Sequence, residues 1–290
     1  MRHPGNPAPE IGALRSIEAR VAGRQHGPIS RLISPGDLGE RLKPFIFLDF
    51  FNAEIGPGFG FGMHPHSGIA TLTWQPGSDV RYRDTTGKTG VLKAGGLEWM
   101  NAGGGAWHQG SLLGHGRVTG FQLWVPMPPG IEDGPSFGQY VSPDEVLDEQ
   151  IPGGSIKVLL GSMQDGDAVR RSPIESHHDM NYFVVTLEAG AVLRYSPPRA
   201  HDVAWAFGFE GAAVLQGEPS RGDLLVFGNS GAIEIGASGE PARVLLGTAK
   251  RYAHPLVLGP SSVHSNANSL ARGAQRIQSL LEEITSKGPL

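Results

Sequence analysis

Glycine and proline fill 66 of 290 positions, about twice the share usual in globular proteins. In a helix interior each glycine costs ~1 kcal/mol relative to alanine and each proline ~3 kcal/mol. A chain with this many breakers cannot be built from long helices. The glycines show no three-residue period, which excludes collagen, and charged residues make up only 18% of the chain, against disorder. Hydrophobic residues at 39%, with five tryptophans, supply a sizeable core. What remains is a globular, mostly β chain with many tight turns.

The breakers fall where strands need turns. Apolar runs at 44–51, 68–74, 80–83, 90–93, 97–100 and 121–125 are each strand-length, and Pro76-Gly77, Thr86-Gly87, Gly95-Gly96 and Gly103-Gly104-Gly105 separate them. A second series follows at 156–160, 182–187, 192–195, 203–209, 213–216, 223–227, 233–235 and 242–246. The segment Gly95–Asn101 is echoed by Gly222–Gly228, 127 residues later, as expected of two similar β units in tandem. The expected layout is a barrel over 1–130, a connector over 131–154, a second barrel over 155–265, and a helix and tail over 266–290. Residues 1–12 are expected to be loose. Leu270, Ala274, Ile277, Leu281 and Ile284 step by 4, 3, 4 and 3, one apolar face of a helix. Asn268 or Ser269 is placed to cap it, and Gly288-Pro289 to end it.

Charge excludes some functions. With 24 basic against 28 acidic residues and no Lys/Arg cluster, direct nucleic-acid binding is not expected. The absence of cysteine removes disulfides, thiolate nucleophiles and cysteine metal sites together. No apolar run is long enough to span a membrane, and the first residues lack the apolar segment of a signal peptide. A cytoplasmic protein is the expectation.

The chemistry concentrates in Gly62-Met63-His64-Pro65-His66-Ser67-Gly68. Residues two apart on a strand share a face, with Cα atoms roughly 6.6 Å apart, which lets two imidazoles converge on one ion. His108, after the glycine run 103–105, is the third candidate ligand. The alternative, hydrogen-bonded histidines of no special role, is expected for most of the eleven histidines. His201 stands alone, and the adjacent His177 and His178 point to opposite faces of any strand. The second unit is therefore expected to lack a site.

The motifs PFIFLDFF (44–51), His64-Pro65-His66-Ser67-Gly68, Tyr82–Gly87, Gly96–Gly103, His108 and Gly120–Val125, in that order, resemble those of the pirin family. The resemblance implies an all-β bicupin, two tandem cupin-type β-barrels with a short C-terminal helix here. It also implies one divalent non-haem metal in the first barrel, iron foremost with nickel, manganese, cobalt, copper or zinc as alternatives, held by His64, His66 and His108. Pirins are described either as dioxygenases of flavonols such as quercetin, or as regulators acting through protein contacts. The first would make a small aromatic the substrate; the second would require a protein partner. The family's metal-binding glutamate falls at Gly110, and a second cupin acid would fall at Ala70. Both carboxylates are missing. Glu98 is the nearest acid in sequence and the candidate base, with either face of its strand open to it.

Overall fold

A computed structural model describes residues 12–56, 58–165 and 168–287. The expected loose residues 1–11 and the Gly288-Pro289 stop lie outside them. Period-two alternation builds the first barrel. Along Ile69–Trp74, Ala70, Leu72 and Trp74 join the main apolar core, while Thr73 faces the barrel interior. Along Leu97–Asn101, Leu97 and Trp99 do the same, which sends Glu98 inward. This sheet runs 137–141, 97–101, 69–74, 116–126, 47–55, 29–33, 24–26, all antiparallel. It faces a four-stranded sheet ordered 60–66, 106–113, 79–84, 89–92.

The C-terminal barrel repeats the pattern. Its backbone path runs 17–22, 223–227, 203–215, 233–249, 180–187, 154–160, 148–151. The echoed segments 97–101 and 223–227 each hold the second position from the edge, so the likeness in sequence is also a likeness in topology.

Two departures from the expected layout concern the edges. The stretch expected as a connector contributes Phe137–Val141 to the first sheet and Asp148–Ile151 to the second. Ile17–Ala22, counted with the N-terminal unit by sequence order, pairs with Asp223–Phe227 instead. All three are short strands of four to six residues at sheet edges, where brevity leaves an apolar pattern little to report.

The largest apolar cluster lies between the barrels. Phe45, Trp74, Trp99 and Phe121 meet Tyr182, Trp205 and Phe207 there, with the rings of Phe45 and Trp205 edge-on at 5.4 Å and those of Phe50 and Phe207 at 5.3 Å. At about 25 cal/mol per Å² of apolar surface removed from water, such an aromatic seam contributes favourably to holding the two barrels together.

The helix spans Ala267–Lys287. Its cap is Asn266, whose side-chain oxygen accepts the Ser269 N–H at 2.9 Å, not Asn268 or Ser269. Its inward face is Leu270, Gly273, Ile277, Leu280 and Ile284; Ala274 and Leu281 are exposed. Glycine does not register in an apolar count, yet here it is the point of closest approach. No described helix is long and apolar enough to cross a membrane.

Candidate metal centre

His64 and His66 lie on Gly60–His66, and His108 on Ala106–Leu113. The two strands are antiparallel neighbours with His108 directly opposite His64 and Ala106 opposite His66. The register slips between His108 and Gly110, a bulge of the kind that re-aims side chains beside sites. The three histidines therefore converge, with one ring nitrogen of each within 4.8 Å of the others. They are the only such group of potential metal ligands among the described residues.

Each ring is oriented through its other nitrogen. His64 Nδ1 donates to the Gly62 carbonyl at 2.6 Å, His66 Nδ1 to the Ser261 carbonyl at 2.8 Å, and His108 Nδ1 to the Glu98 carboxylate at 3.0 Å. This is the arrangement that fixes the tautomer of metal-ligating histidines and raises their basicity. His66 Nε2 is buried and has no hydrogen-bond partner among the described residues, a state a native protein rarely leaves uncompensated. Burial, reinforced by the neighbouring His108, holds the His64 imidazolium off and pushes its pKa below the ordinary value. Burial and the other two histidines push His66 well below it. Neutral imidazole is the ligand form, so the set fits a divalent metal.

Glu98 faces inward, 5% exposed, and orients His108. Ala70 is fully buried in the seam between the barrels, so an acid there would point away from the histidines. Gly110 lines the cavity beside His64, His108 and Glu98. Its φ lies outside the left-handed region, and a Cβ would touch only Val80, at 3.3 Å.

Sequence reading missed the rest of the lining. Thr73, Gln75 and Gln122 surround the cavity together with Phe51, Phe61 and Leu112, and both amide atoms of the buried Gln75 lack partners. The signal was available as polar residues at every second position of otherwise buried strands. The cavity is small, about 30 Å³.

The C-terminal barrel shows what the same scaffold does without a site. Matching registers pair Thr71, Thr73, Glu98 and Gln122 with Ala204, Ala206, Leu225 and Leu246, and those four belong to an apolar interior cluster. His201 is buried outside it, between Asp179 at 2.8 Å and Thr248 at 2.9 Å. His178 is bonded to the Pro126 carbonyl. None of these joins a second cluster among the described residues.

The pirin family profile matches residues 28–125, the span that carries all three histidines. Over 273 residues the chain is 30% identical to a Pseudomonas aeruginosa protein provisionally named a quercetin 2,3-dioxygenase, covering 91% of this chain and 90% of that one. A crystal structure of quercetin 2,3-dioxygenase from Acinetobacter baumannii superposes with a TM-score of 0.82 at 22% identity, covering 92% of this chain and 98% of the other. A bacterial pirin from Escherichia coli in complex with nickel(II) superposes at 0.62 with 21% identity, covering 83% and 100%. The two tandem barrels are a bicupin architecture, and the fold likeness to these structures agrees with it. With a relative this similar along nearly its whole length, and a family profile matched across the histidine strands, the chain belongs to the pirin family.

Proposed function

We propose that His64, His66 and His108 hold one divalent non-haem metal ion, iron foremost, and that the chain is an oxidoreductase of the quercetin 2,3-dioxygenase type acting on a small flavonol-like aromatic. The observation that carries the metal reading is the unpartnered, buried Nε2 of His66 facing two further imidazoles whose Nδ1 atoms are already engaged. The names of the relatives supply the substrate class. The reading includes a cytoplasmic location, the expectation for a chain that uses no disulfide.

A metal held there would supply Lewis acidity toward a substrate oxygen. The protein's own groups do the rest. Glu98 keeps the proton on His108 Nδ1, and the Ser261 carbonyl keeps the proton on His66 Nδ1. Gln75 offers a donor and an acceptor inside the cavity, and Phe51, Val80 and Leu112 keep bulk water out. A volume of 30 Å³ holds about one water-sized molecule, whereas drug-sized ligands occupy roughly 300 Å³ or more. A flavonol must therefore approach at the rim, where Phe61 is 37% exposed and His64 is half-buried.

The cavity size and Gly110 in place of a carboxylate favour a second reading, a non-catalytic metal-binding regulator acting through a protein partner. Oxygen consumption by Fe²⁺-loaded protein with quercetin separates the two. Turnover that disappears in His108→Ala supports the oxygenase. Stoichiometric metal without oxygen uptake overturns it and leaves the regulator.

A further inference from the structure

The hairpin Val257–Gly259/Ser262–His264 and the helix Ala267–Lys287 follow the last strand of the C-terminal barrel, yet they dock on the N-terminal one. They meet it at the histidine strand itself. The Ser261 carbonyl accepts the His66 Nδ1–H at 2.8 Å. Ser261 has φ of +54°, in the left-handed region that residues with a side chain disfavour. It follows Pro260 in a two-residue turn, a position where glycine or asparagine is usual. A serine held in that conformation shows that its surroundings dictate the direction of the peptide.

Those surroundings form a buried clamp. Ser67, next to His66, donates its N–H to Ser262 Oγ at 3.2 Å and bonds through Oγ to Ser262 Oγ at 3.0 Å and to His264 Nε2 at 2.9 Å. Glu132, 1% exposed, accepts the Ser265 N–H and O–H at 2.6 Å each. Gly273 of the helix closes over the cluster: a Cβ there would lie 2.4 Å from Ser67 Oγ and 2.7 Å from His264 Nε2. The serine, histidine and glutamate superficially resemble a nucleophile array. His264 Nδ1 stands 3.7 Å from Glu132, beyond hydrogen-bond range, and the helix seals the serine from solvent. The cluster clamps; it does not attack.

We propose that Ser261 is a positioning residue of the metal centre: its carbonyl, aimed by the left-handed turn and clamped beneath the C-terminal helix, keeps the His66 proton on Nδ1 and leaves Nε2 free to bind. The inference rests on the metal reading above and assigns a role in it to a segment distant in sequence.

The test compares Ser261→Val, whose β-branched side chain opposes the left-handed turn, with Ser261→Gly, which enters it freely. Two quantities are read on the full chain. Nitrogen–proton correlation NMR of the metal-free protein reports the His66 tautomer, and competition with a chelator reports Co²⁺ affinity. Ser261→Gly is expected to keep the Nδ1–H tautomer and an affinity within about twofold of wild type. Ser261→Val is expected to mix the tautomers and to weaken Co²⁺ about ten- to a hundredfold. Gly273→Val, which forces the clamp apart, should move both in the same direction with the barrel fold retained by circular dichroism. An unchanged tautomer and affinity in Ser261→Val, beside lost affinity in His66→Ala, overturns the inference alone. Wild-type protein that takes up no Co²⁺ overturns the metal reading, and the tautomer comparison then decides separately whether Ser261 holds His66.

Discussion

The Nε2 atoms of His64 and His108 stand 3.0 Å apart across two neighbouring strands. With both Nδ1 atoms engaged as donors to Gly62 and Glu98, the two Nε2 atoms present lone pairs to each other. The contact is favourable only when a proton on one of them, or a metal ion bound to both, lies between the two nitrogens. His66→Ala and His108→Ala should therefore each abolish stoichiometric metal, measured by elemental analysis of untagged protein. His201→Ala and the double change His177→Ala/His178→Ala should leave it at one per chain. A drop to half in either of the latter would reveal a second site.

Glu98 touches the proposed metal site through His108, whose Nδ1–H its carboxylate accepts at 3.0 Å. Glu98→Gln keeps the size and removes the charge, and outer-shell changes of this kind weaken metal affinity about 10–100-fold. Chelator competition measures it, and affinity equal to wild type would remove Glu98 from the centre.

At Gly110 the backbone accepts a side chain, and a Cβ meets only the Val80 methyl at 3.3 Å. Gly110→Glu should fold, more readily with Val80→Ala beside it. It should bind metal about tenfold more tightly or better, each decade being ~1.4 kcal/mol, because an anionic oxygen joins three neutral imidazoles. Oxygen uptake with quercetin that appears only in this variant would show that the natural chain binds metal without the flavonol reaction.

Gln75 is fully buried, and neither amide atom has a partner among the described residues. Leaving a buried polar group unsatisfied costs about 1–3 kcal/mol. Gln75→Met should therefore raise the unfolding free energy of metal-free protein by about that amount in urea titrations. A destabilised variant would mean that the amide is satisfied by an ordered water the change expels.

His178 sits against the Pro126 carbonyl at the junction of the barrels, and burial lowers its pKa to about 4. The unfolded chain takes up that proton near pH 6.5, so it binds more protons than the folded chain between these values. Stability should accordingly fall as pH drops from about 6.5 to 4, by about 3 kcal/mol at the lower end from this residue. His64 and His66, lowered by burial and by neighbouring histidines, act in the same direction. Urea midpoints of metal-free wild type and His178→Gln, compared across that range, isolate the share of His178. Parallel curves would show that it titrates normally.

Much of this was legible in the sequence, for identifiable reasons. Two histidines one residue apart on an extended segment must share a face, and His64 and His66 do. The Gly95–Asn101 and Gly222–Gly228 echo marked equivalent strands because the same turn and the same buried pair, Leu97/Trp99 and Leu224/Val226, recur in both. Glu98 could not be oriented from its own strand, since Leu97, Trp99 and Met100 are all apolar. Only the neighbouring sheet decides which face is the seam. Ser261 left no mark at all, because what it contributes is a backbone carbonyl, which every residue possesses. The helix face was misread at Ala274 and Leu281 for a related reason: contact there is set by the missing side chain of Gly273.

The strand exchange at the ends of the described chain has a consequence for how the molecule can be divided. Ile17–Ala22 completes the edge of the C-terminal sheet, while the last hairpin and helix complete the N-terminal barrel. Severing the polypeptide between the barrels would thus yield two incomplete bodies, each carrying the other's missing piece. Neither fragment should be a usable stand-in for its barrel. Mixed together they should recombine, as complementary halves of one object joined by something other than the peptide bond that was cut.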